Sequence, residues 1–183
     1  MTKRSDPTRI IAIDGRSGAG KSTLAAGVAC ELGAQLIHMD ALYPGWHGLD
    51  AGAALVVNQV LEPLSRGEVA TWPSWDWHRS EPGPMLTAHP GGVVVLEGCG
   101  SLTAASAPLL DVRVWLELGE DVRRDRAEAR DGTSDQWWEL WCIQEEALIA
   151  REDPCSLAEL VLDARASQTE LARRVLQEVT RRG

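Results

Sequence analysis

The feature that most constrains the fold of this 183-residue chain is a glycine-rich loop near its N-terminus. The apolar run 10–13 leads through Asp14 into GRSGAGKS at 15–22, which fits the spacing G-x-x-x-x-G-K-[ST]. Apolar residues then recur every fourth position from Leu24 to Leu32, and Gly33 offers a helix stop. The pattern predicts a buried strand, a loop and a helix whose N-terminus faces the loop. Backbone N–H groups in such a loop converge on phosphate oxygens.

The residue types inside the loop predict which phosphate ligand it takes. The Lys21 ammonium would reach the β- and γ-phosphates, and the Ser22 hydroxyl would bind Mg²⁺. The chain has 16 arginines and two lysines, so a compact ammonium at this position is a specific choice. We therefore expect ATP and Mg²⁺ as cofactors. The predicted nucleotide-binding residues of the loop are Gly15, Ser17, Gly18, Ala19, Gly20, Lys21, Ser22 and Thr23.

Charge and composition exclude several other classes of protein. Lysine and arginine total 18 against 27 acidic residues, a net charge of −9, which repels a nucleic-acid backbone. No apolar run approaches the roughly 18 residues of a membrane-spanning helix, and the N-terminus lacks a secretory signal. The four cysteines form no C-x-x-C pair. We expect one cytoplasmic domain over 1–183 with neither nucleic acid nor membrane as partner, and leave homo-oligomer formation open.

Strand patterns alternate with helix patterns along the rest of the chain. The strand patterns lie at 35–40, 91–98, 112–118 and within 157–163, and the helix patterns at 50–67, 121–130, 134–152 and 170–182. Pro63 is expected to kink or end its helix. The proline-rich segment 80–92 is predicted to be a long surface loop. This order predicts an α/β protein with the P-loop NTPase fold, a parallel sheet flanked by helices on both faces.

Two acidic residues follow predicted strands at the edge where parallel sheets place ligands. Asp40 ends the second strand and Glu97 ends the valine-rich strand. Together they could complete a Mg²⁺ shell, and one could accept a proton from an attacking hydroxyl. The alternative is that each only ends its strand in solvent. No N-K-x-D motif for guanine is present, which disfavours a GTPase.

These motifs, in this order, resemble the uridine kinase and phosphoribulokinase group of P-loop small-molecule kinases. MDALYPGW at 39–46 is similar to the group's Asp-x-x-Tyr segment, which implies that Asp40 is the catalytic base and that Tyr43 touches substrate. WPSWDWHRS at 72–80 is similar to the segment that closes over the acceptor, and VVVLEG to the strand whose Glu helps to hold Mg²⁺, here Glu97. The substrate-contacting residues implied by the resemblance are Tyr43, Asp76, His78 and Arg79. The loop motif, the strand-end carboxylates and the resemblance together predict Ser22, Asp40 and Glu97 as metal-binding residues.

The helix pattern DVRRDRAEARDG at 121–132 resembles the short helical lid of that group, which we place within 121–133. Its arginines are Arg123, Arg124, Arg126 and Arg130. Residues three or four apart share a helical face, so more than one guanidinium could meet the same phosphates. We predict catalytic roles for Arg123 and Arg126 beside Lys21 and Asp40, and nucleotide binding for Arg124. The alternative is an exposed helix with intrahelical ion pairs.

Eight tryptophans in a chain without phenylalanine need a separate explanation. Six of them form two groups: Trp72, Trp75 and Trp77, and then Trp137, Trp138 and Trp141. The first group could stack on a base or sugar, or could fill a small core. The second has helical spacing and is expected to pack in the core or an interface. His38, inside an apolar strand, is expected to be a core histidine.

The combined prediction is a phosphotransferase that moves the γ-phosphate of Mg·ATP to a hydroxyl of a small molecule. A nucleoside, by similarity to uridine and cytidine kinases, is the first expectation for this acceptor. One alternative keeps the chemistry and changes the acceptor to a sugar acid, a vitamin or another small alcohol. A different class of alternative is a regulatory protein that binds ATP without transferring phosphate. The presence of Asp40, Glu97 and the arginine helix together disfavours that class, because binding alone needs only the loop.

Overall fold

A computed structural model describes residues 7–131 and 135–182 of the chain. Residues 132 and 133 of the expected lid and the side chain of Arg130 lie outside this description. The strands are β1 (Arg9–Asp14), β2 (Gln35–His38), β3 (Ala70–Asp76), β4 (Glu81–Ala88), β5 (Val93–Glu97), β6 (Val112–Glu117) and β7 (Leu160–Asp163). The α-helices are α1 (Lys21–Leu32), α2 (Leu49–Val56), α3 (Glu62–Ser65), α4 (Glu120–Asp131), α5 (Asp135–Glu152), α6 (Pro154–Leu157) and α7 (Gln168–Arg181).

Five strands form a parallel sheet in the order β2-β5-β1-β6-β7. Side chains alternate between its two faces. On β1, Ile10 joins a core cluster with helices α2, α3 and α5, whereas Ile11 and Ile13 join a second cluster with α1 and α7. The predicted parallel sheet with helices on both faces is therefore confirmed. No helix within the described residues is both long and apolar enough to cross a membrane.

The expectation of a surface loop at 80–92 is wrong for most of that segment. Residues 81–88 form β4, which pairs with β3 as a separate antiparallel hairpin. Each strand of a two-stranded sheet is an edge, so Pro82 and Pro84 need not donate to a second neighbour. Proline and glycine signals hid this strand because they do not distinguish an edge strand from a loop.

The helix that contains Pro63 is distorted before it ends. A π-helical stretch, Val57–Leu61, joins α2 to α3, and α3 ends at Ser65 shortly after the proline. A proline lacks the N–H that an α-helix would use, and a π-turn is one way to absorb the missing hydrogen bond. The expected interruption near Pro63 is confirmed.

The strand order explains why distant residues share one edge of the sheet. β5 lies between β2 and β1, with Glu97 beside His38 on one side and beside Ile13 on the other. Because all three strands are parallel, their C-terminal ends lie at the same edge. The loop after β1, the turn after β2 and the end of β5 therefore come together there.

Candidate active site

The glycine-rich loop is fixed at its start by a buried carboxylate. Asp14 is 1% exposed and accepts hydrogen bonds from the backbone N–H of Gly15 (2.6 Å) and Leu102 (2.8 Å). Burial raises the pKa of Asp14 to about 7, against the lowering effect of these N–H donors and of Lys21. Asp14 thus connects the end of β1 to the segment that follows β5.

Gly18 shows why the middle of the loop needs glycine. Its φ is +80°, and a Cβ atom placed there would lie 2.2 Å from the carbonyl oxygen of Arg123. The start of α4 therefore packs directly against the loop, and any larger residue at position 18 would push the two apart.

Lys21 begins α1 and is 8% exposed. Its Nζ donates to the carbonyl of Arg16 (3.0 Å) and lies 3.5 Å from the Cys99 sulfur. Burial lowers the pKa of Lys21, but the surrounding acidic groups, among them Cys99 and Glu145, more than compensate, so the pKa lies above its ordinary value. The ammonium is therefore charged at neutral pH and lies inside the loop.

The two predicted acidic residues lie beside this loop. Asp40 belongs to the 3₁₀ turn Met39–Ala41 directly after β2, and Glu97, 3% exposed, ends β5. Glu97 Oε1 is 2.6 Å from His38 Nδ1. The prediction of a core histidine at position 38 is wrong, since 48% of its side chain is exposed. His38 ends an outer strand of the sheet, where its ring can reach Glu97 and still meet solvent.

One cavity of about 860 Å³ joins most of the predicted site residues. Its predicted members are Ser17, Gly18, Gly20, Lys21, Ser22, Thr23, Asp40, Tyr43, Glu97 and Arg126. Tyr43 is buried, and its hydroxyl donates to the carbonyl of Cys99 (2.7 Å). Gly15 and Ala19 are buried in the loop but do not line the cavity. The cavity is of the size typical for small-molecule sites.

The arginines of α4 occupy different environments. Arg123 is 1% exposed, donates to the carbonyls of Ser17 and Leu118 (both 3.1 Å), and lies 5.6 Å from the Trp138 ring centroid. Arg126 lines the cavity with Nη1 3.5 Å from the carbonyl of Ala19. These contacts hold α4 against the loop.

Arg124 instead pairs with Glu128 (3.1 Å), four residues further along the exposed face of α4. This is the intrahelical pairing that the alternative interpretation of the helix expected. The three arginines thus divide into a buried contact with the loop, a cavity-lining cation and a surface ion pair. Their roles toward phosphate stay predictions.

The remaining substrate residues implied by the resemblance lie at the tip of the β3–β4 hairpin. Asp76 Oδ1 accepts from the backbone N–H groups of His78 (3.0 Å) and Arg79 (3.1 Å), which shapes the turn. Arg79 is exposed and pairs with Glu81. None of the three lines the cavity. Their contact with substrate stays a prediction.

Glu145 was not among the predicted site residues. It lies on α5, is 2% exposed, and accepts from the Ser17 N–H (2.6 Å) and from Arg16 Nε (3.0 Å). The Cys99 thiol lies 3.2 Å from the same carboxylate. A single carboxylate therefore fixes the first half of the loop. Its two partners in the loop are about 130 positions away in sequence, so no local pattern could have identified it.

Four tryptophans from three chain segments also line the cavity: Trp46, Trp77, Trp137 and Trp141. We call them the tryptophan wall. The Trp46 ring centroid is 4.8 Å from Trp77, 5.5 Å from Trp137 and 6.4 Å from Trp141. The expected burial of the second tryptophan group is confirmed for Trp138 and Trp141, whereas Trp137 is half-buried. In the first group, Trp72 belongs to the core and Trp77 to the wall.

The donor set on the cavity fits a magnesium ion. Ser22, Asp40 and Glu97 all line it and all supply oxygen, the donor that Mg²⁺ prefers. Among the described residues, no group of three or more His, Cys, Asp or Glu side chains is arranged to hold a metal. Mg²⁺ in nucleotide sites takes most of its remaining ligands from phosphates and water, so a full protein shell is not required.

No protein-family model and no curated protein matches this chain. Solved structures do. A possible uridine kinase from Bacillus stearothermophilus superposes with a TM-score of 0.62 at 19% identity, over 88% of this chain and 92% of that one. This chain has the fold of P-loop small-molecule kinases.

Two further structures support the same assignment of fold. A gluconokinase from Sinorhizobium meliloti 1021 has a TM-score of 0.60 at 21% identity, over 97% of this chain and 94% of its own. A shikimate kinase from Acinetobacter baumannii in complex with shikimate has a TM-score of 0.59 at 17% identity, over 96% and 95%. The similar structures thus differ in the acceptors for which they are named, and at these identities they establish the fold alone.

Proposed function

We propose that this chain is a single-domain, Mg²⁺-dependent phosphotransferase that moves the γ-phosphate of ATP to a hydroxyl of a small molecule. The observation that carries the proposal is that the glycine loop, Asp40 and Glu97 line one cavity. A carboxylate beside the phosphate position can accept the proton of an attacking hydroxyl, which is a step of transfer and not of binding. The P-loop kinase fold of the similar structures agrees with this function.

The chemistry follows from the positions of three side chains. The acceptor oxygen attacks the γ-phosphorus, the bond from that phosphorus to the β,γ-bridging oxygen breaks, and ADP leaves. Asp40 takes the hydroxyl proton, Lys21 neutralises charge on the transferred group, and Arg126 acts from the α4 side of the cavity. The α4 contacts with the loop help to exclude water from these groups.

Mg²⁺ would be held by Ser22, Asp40 and Glu97, and when bound it would neutralise phosphate charge. Glu97 is oriented for this by its contact with His38. His38 thus supports a metal-binding carboxylate from outside the set of predicted site residues.

The acceptor is a small molecule with a hydroxyl group, with a nucleoside as the first expectation and a sugar acid or vitamin as alternatives. A screen of alcohols from these classes with Mg·ATP, followed by ADP formation and by mass spectrometry of the product, tests the function. We expect ADP formation that depends on one class of alcohol. ATP binding without transfer to any alcohol of the screen would contradict the proposal and favour an ATP-binding regulatory protein.

A further inference from the structure

One member of the tryptophan wall, Trp46, is strongly exposed at the cavity. Trp46 contacts three other indoles, and yet 46% of its surface is open. A contiguous aromatic surface left in contact with water is unfavourable, and such surfaces on globular proteins commonly mark ligand-binding grooves. Trp46 and Trp137 are nearly parallel, with an interplanar angle of 26°, so two indole planes share one orientation at the cavity.

The polar atoms of the aromatic residues at this cavity are partly used already. Trp77 Nε1 donates to the carbonyl of Asp40 (2.9 Å), and the Tyr43 hydroxyl donates to the carbonyl of Cys99 (2.7 Å). These bonds fix the rings of Trp77 and Tyr43, and the Trp141 Nε1 atom, which has no hydrogen-bond partner among the described residues, is buried, so a ligand meets mainly apolar ring surface. A ligand whose hydroxyl groups faced that surface would lose hydrogen bonds to water without replacing them, at a cost for each buried hydroxyl. The apolar face of a flat ring makes no such hydrogen bonds, so it would lose none on stacking.

The charges of the cavity also favour an uncharged acceptor. Among the described residues that line it, Lys21 and Arg126 are the cations, and both lie against the loop backbone, at Arg16 (3.0 Å) and Ala19 (3.5 Å). Under the proposed function both serve the phosphates of ATP. Among these described lining residues, no further cation remains for a carboxylate on the acceptor. An acidic acceptor is therefore disfavoured.

We propose that the acceptor carries its reactive hydroxyl on or next to an uncharged planar ring, which Trp46, Trp77 and Trp137 hold by stacking. The inference rests on the proposed function, because only a phosphotransferase has an acceptor. It concerns how that acceptor binds and not how phosphate is transferred. The wall offers mainly ring surface and few hydrogen-bonding groups. It should therefore select any flat ring and should not distinguish strongly between different flat rings. Trp77 also joins the wall to the backbone of Asp40, so a stacked ring would lie beside the candidate base.

A binding experiment without phosphate transfer tests this inference. Isothermal titration in the presence of Mg²⁺ and a non-hydrolysable ATP analogue would compare ring-bearing alcohols (uridine, adenosine, thymidine, pyridoxine) with alcohols that lack a planar aromatic ring (ribose, gluconate, shikimate). We expect the tightest binders to carry a planar ring, with ribose binding at least about tenfold more weakly than its ring-bearing nucleosides, since base stacking on an aromatic side chain is commonly worth that much. An alcohol without a planar ring as the tightest binder, or no ring-bearing binder in the set, would overturn the inference.

Variants of Trp46 then separate stacking from general packing. Trp46→Ala should lower the affinity for ring-bearing alcohols at least about fivefold, whereas Trp46→Phe should retain most of that affinity. Binding of the ATP analogue should be unchanged in both, which also reports that they are folded. Equal affinity of Trp46→Ala and wild type would contradict the inference. Ring binding without any transfer from ATP would refute the proposed function alone, and efficient transfer to gluconate would refute the inference alone.

Discussion

Replacing Glu145 by glutamine is the perturbation whose effect on stability can be estimated best from the structure. The carboxylate is 2% exposed and accepts from the Ser17 N–H and from Arg16 Nε through its two oxygens. A glutamine has one acceptor oxygen, so one of the two part-buried donors would face an amide N–H₂. Hydrogen bonds to a charged group are worth about 1.5–3 kcal/mol, and removing one partner of a buried pair costs about 3–5 kcal/mol.

We therefore expect Glu145→Gln to lower the free energy of unfolding by about 3 kcal/mol. For a chain of this size, that corresponds to a melting temperature lower by about 6–12 °C. The matched control is Glu146→Gln on the same helix, where the side chain is 65% exposed and pairs with Arg16 at 3.5 Å. An exposed pair of this kind is worth less than about 1 kcal/mol.

Urea unfolding of both variants, monitored by tryptophan fluorescence and by circular dichroism, measures the difference. The predicted order is wild type, then Glu146→Gln slightly less stable, then Glu145→Gln clearly less stable. Equal losses in the two variants, or a loss below about 1 kcal/mol in Glu145→Gln, would refute the conclusion that this carboxylate fixes the loop.

Three further predictions concern the loop, α4 and pH. ATP with Mg²⁺ at about 100 times its dissociation constant should stabilise the protein by about 2.7 kcal/mol, and Lys21→Ala should remove most of the resulting shift in melting temperature; an unchanged shift would place the phosphates elsewhere. Arg126→Ala should lower turnover more than ATP affinity; kinetics beside calorimetric ATP titration decides, and equal losses in turnover and affinity would make Arg126 a simple binding contact. The pKa of Asp14 is raised from 3.8 to about 7 in the folded state, so the folded protein binds this proton more tightly than the unfolded chain does. The free energy of unfolding should therefore fall as pH rises from about 4 through 7, by at most about 4 kcal/mol. Urea unfolding at pH 5 and pH 8 measures this difference, and equal stabilities would show that Asp14 is ionised throughout.

The sequence predicted the parts of the site that depend on local patterns. The loop from Gly15 to Ser22 has a fixed spacing, and a carboxylate after a buried strand falls at a known edge of a parallel sheet. These two patterns alone were sufficient to predict Asp40 and Glu97 beside Lys21. Tyr43 came from the resemblance, and the fold brings it to the same cavity.

The parts that the sequence did not predict depend on tertiary contacts. In the sequence, nothing distinguishes Glu145 from the other acidic residues of α5. Its role depends on the packing of α5 beside the loop. The spacing of Trp137 is equally compatible with a core and with a cavity, and only the positions of Trp46 and Trp77 decide between them. Strand β4 was missed because its prolines predict a loop unless a single partner strand is known.

The most direct test of the central claim, phosphate transfer assisted by a carboxylate after β2, is the rate of Asp40→Asn. Asparagine keeps the shape of the side chain and removes its basicity, and a general base contributes roughly 10²–10⁴ in rate. The control is Asp50→Asn, which removes an exposed carboxylate paired with Arg151 outside the cavity.

Transfer to the acceptor found in the screen would be measured over a range of Mg²⁺ concentrations, together with ATP affinity. We expect Asp40→Asn to lower the rate by roughly 10²–10⁴ at every Mg²⁺ concentration, with ATP affinity within a few-fold of wild type and Asp50→Asn unchanged. A loss recovered at high Mg²⁺ would make Asp40 a metal ligand instead of the base. Wild-type rates for Asp40→Asn at all Mg²⁺ concentrations would contradict the assignment of Asp40 as the base.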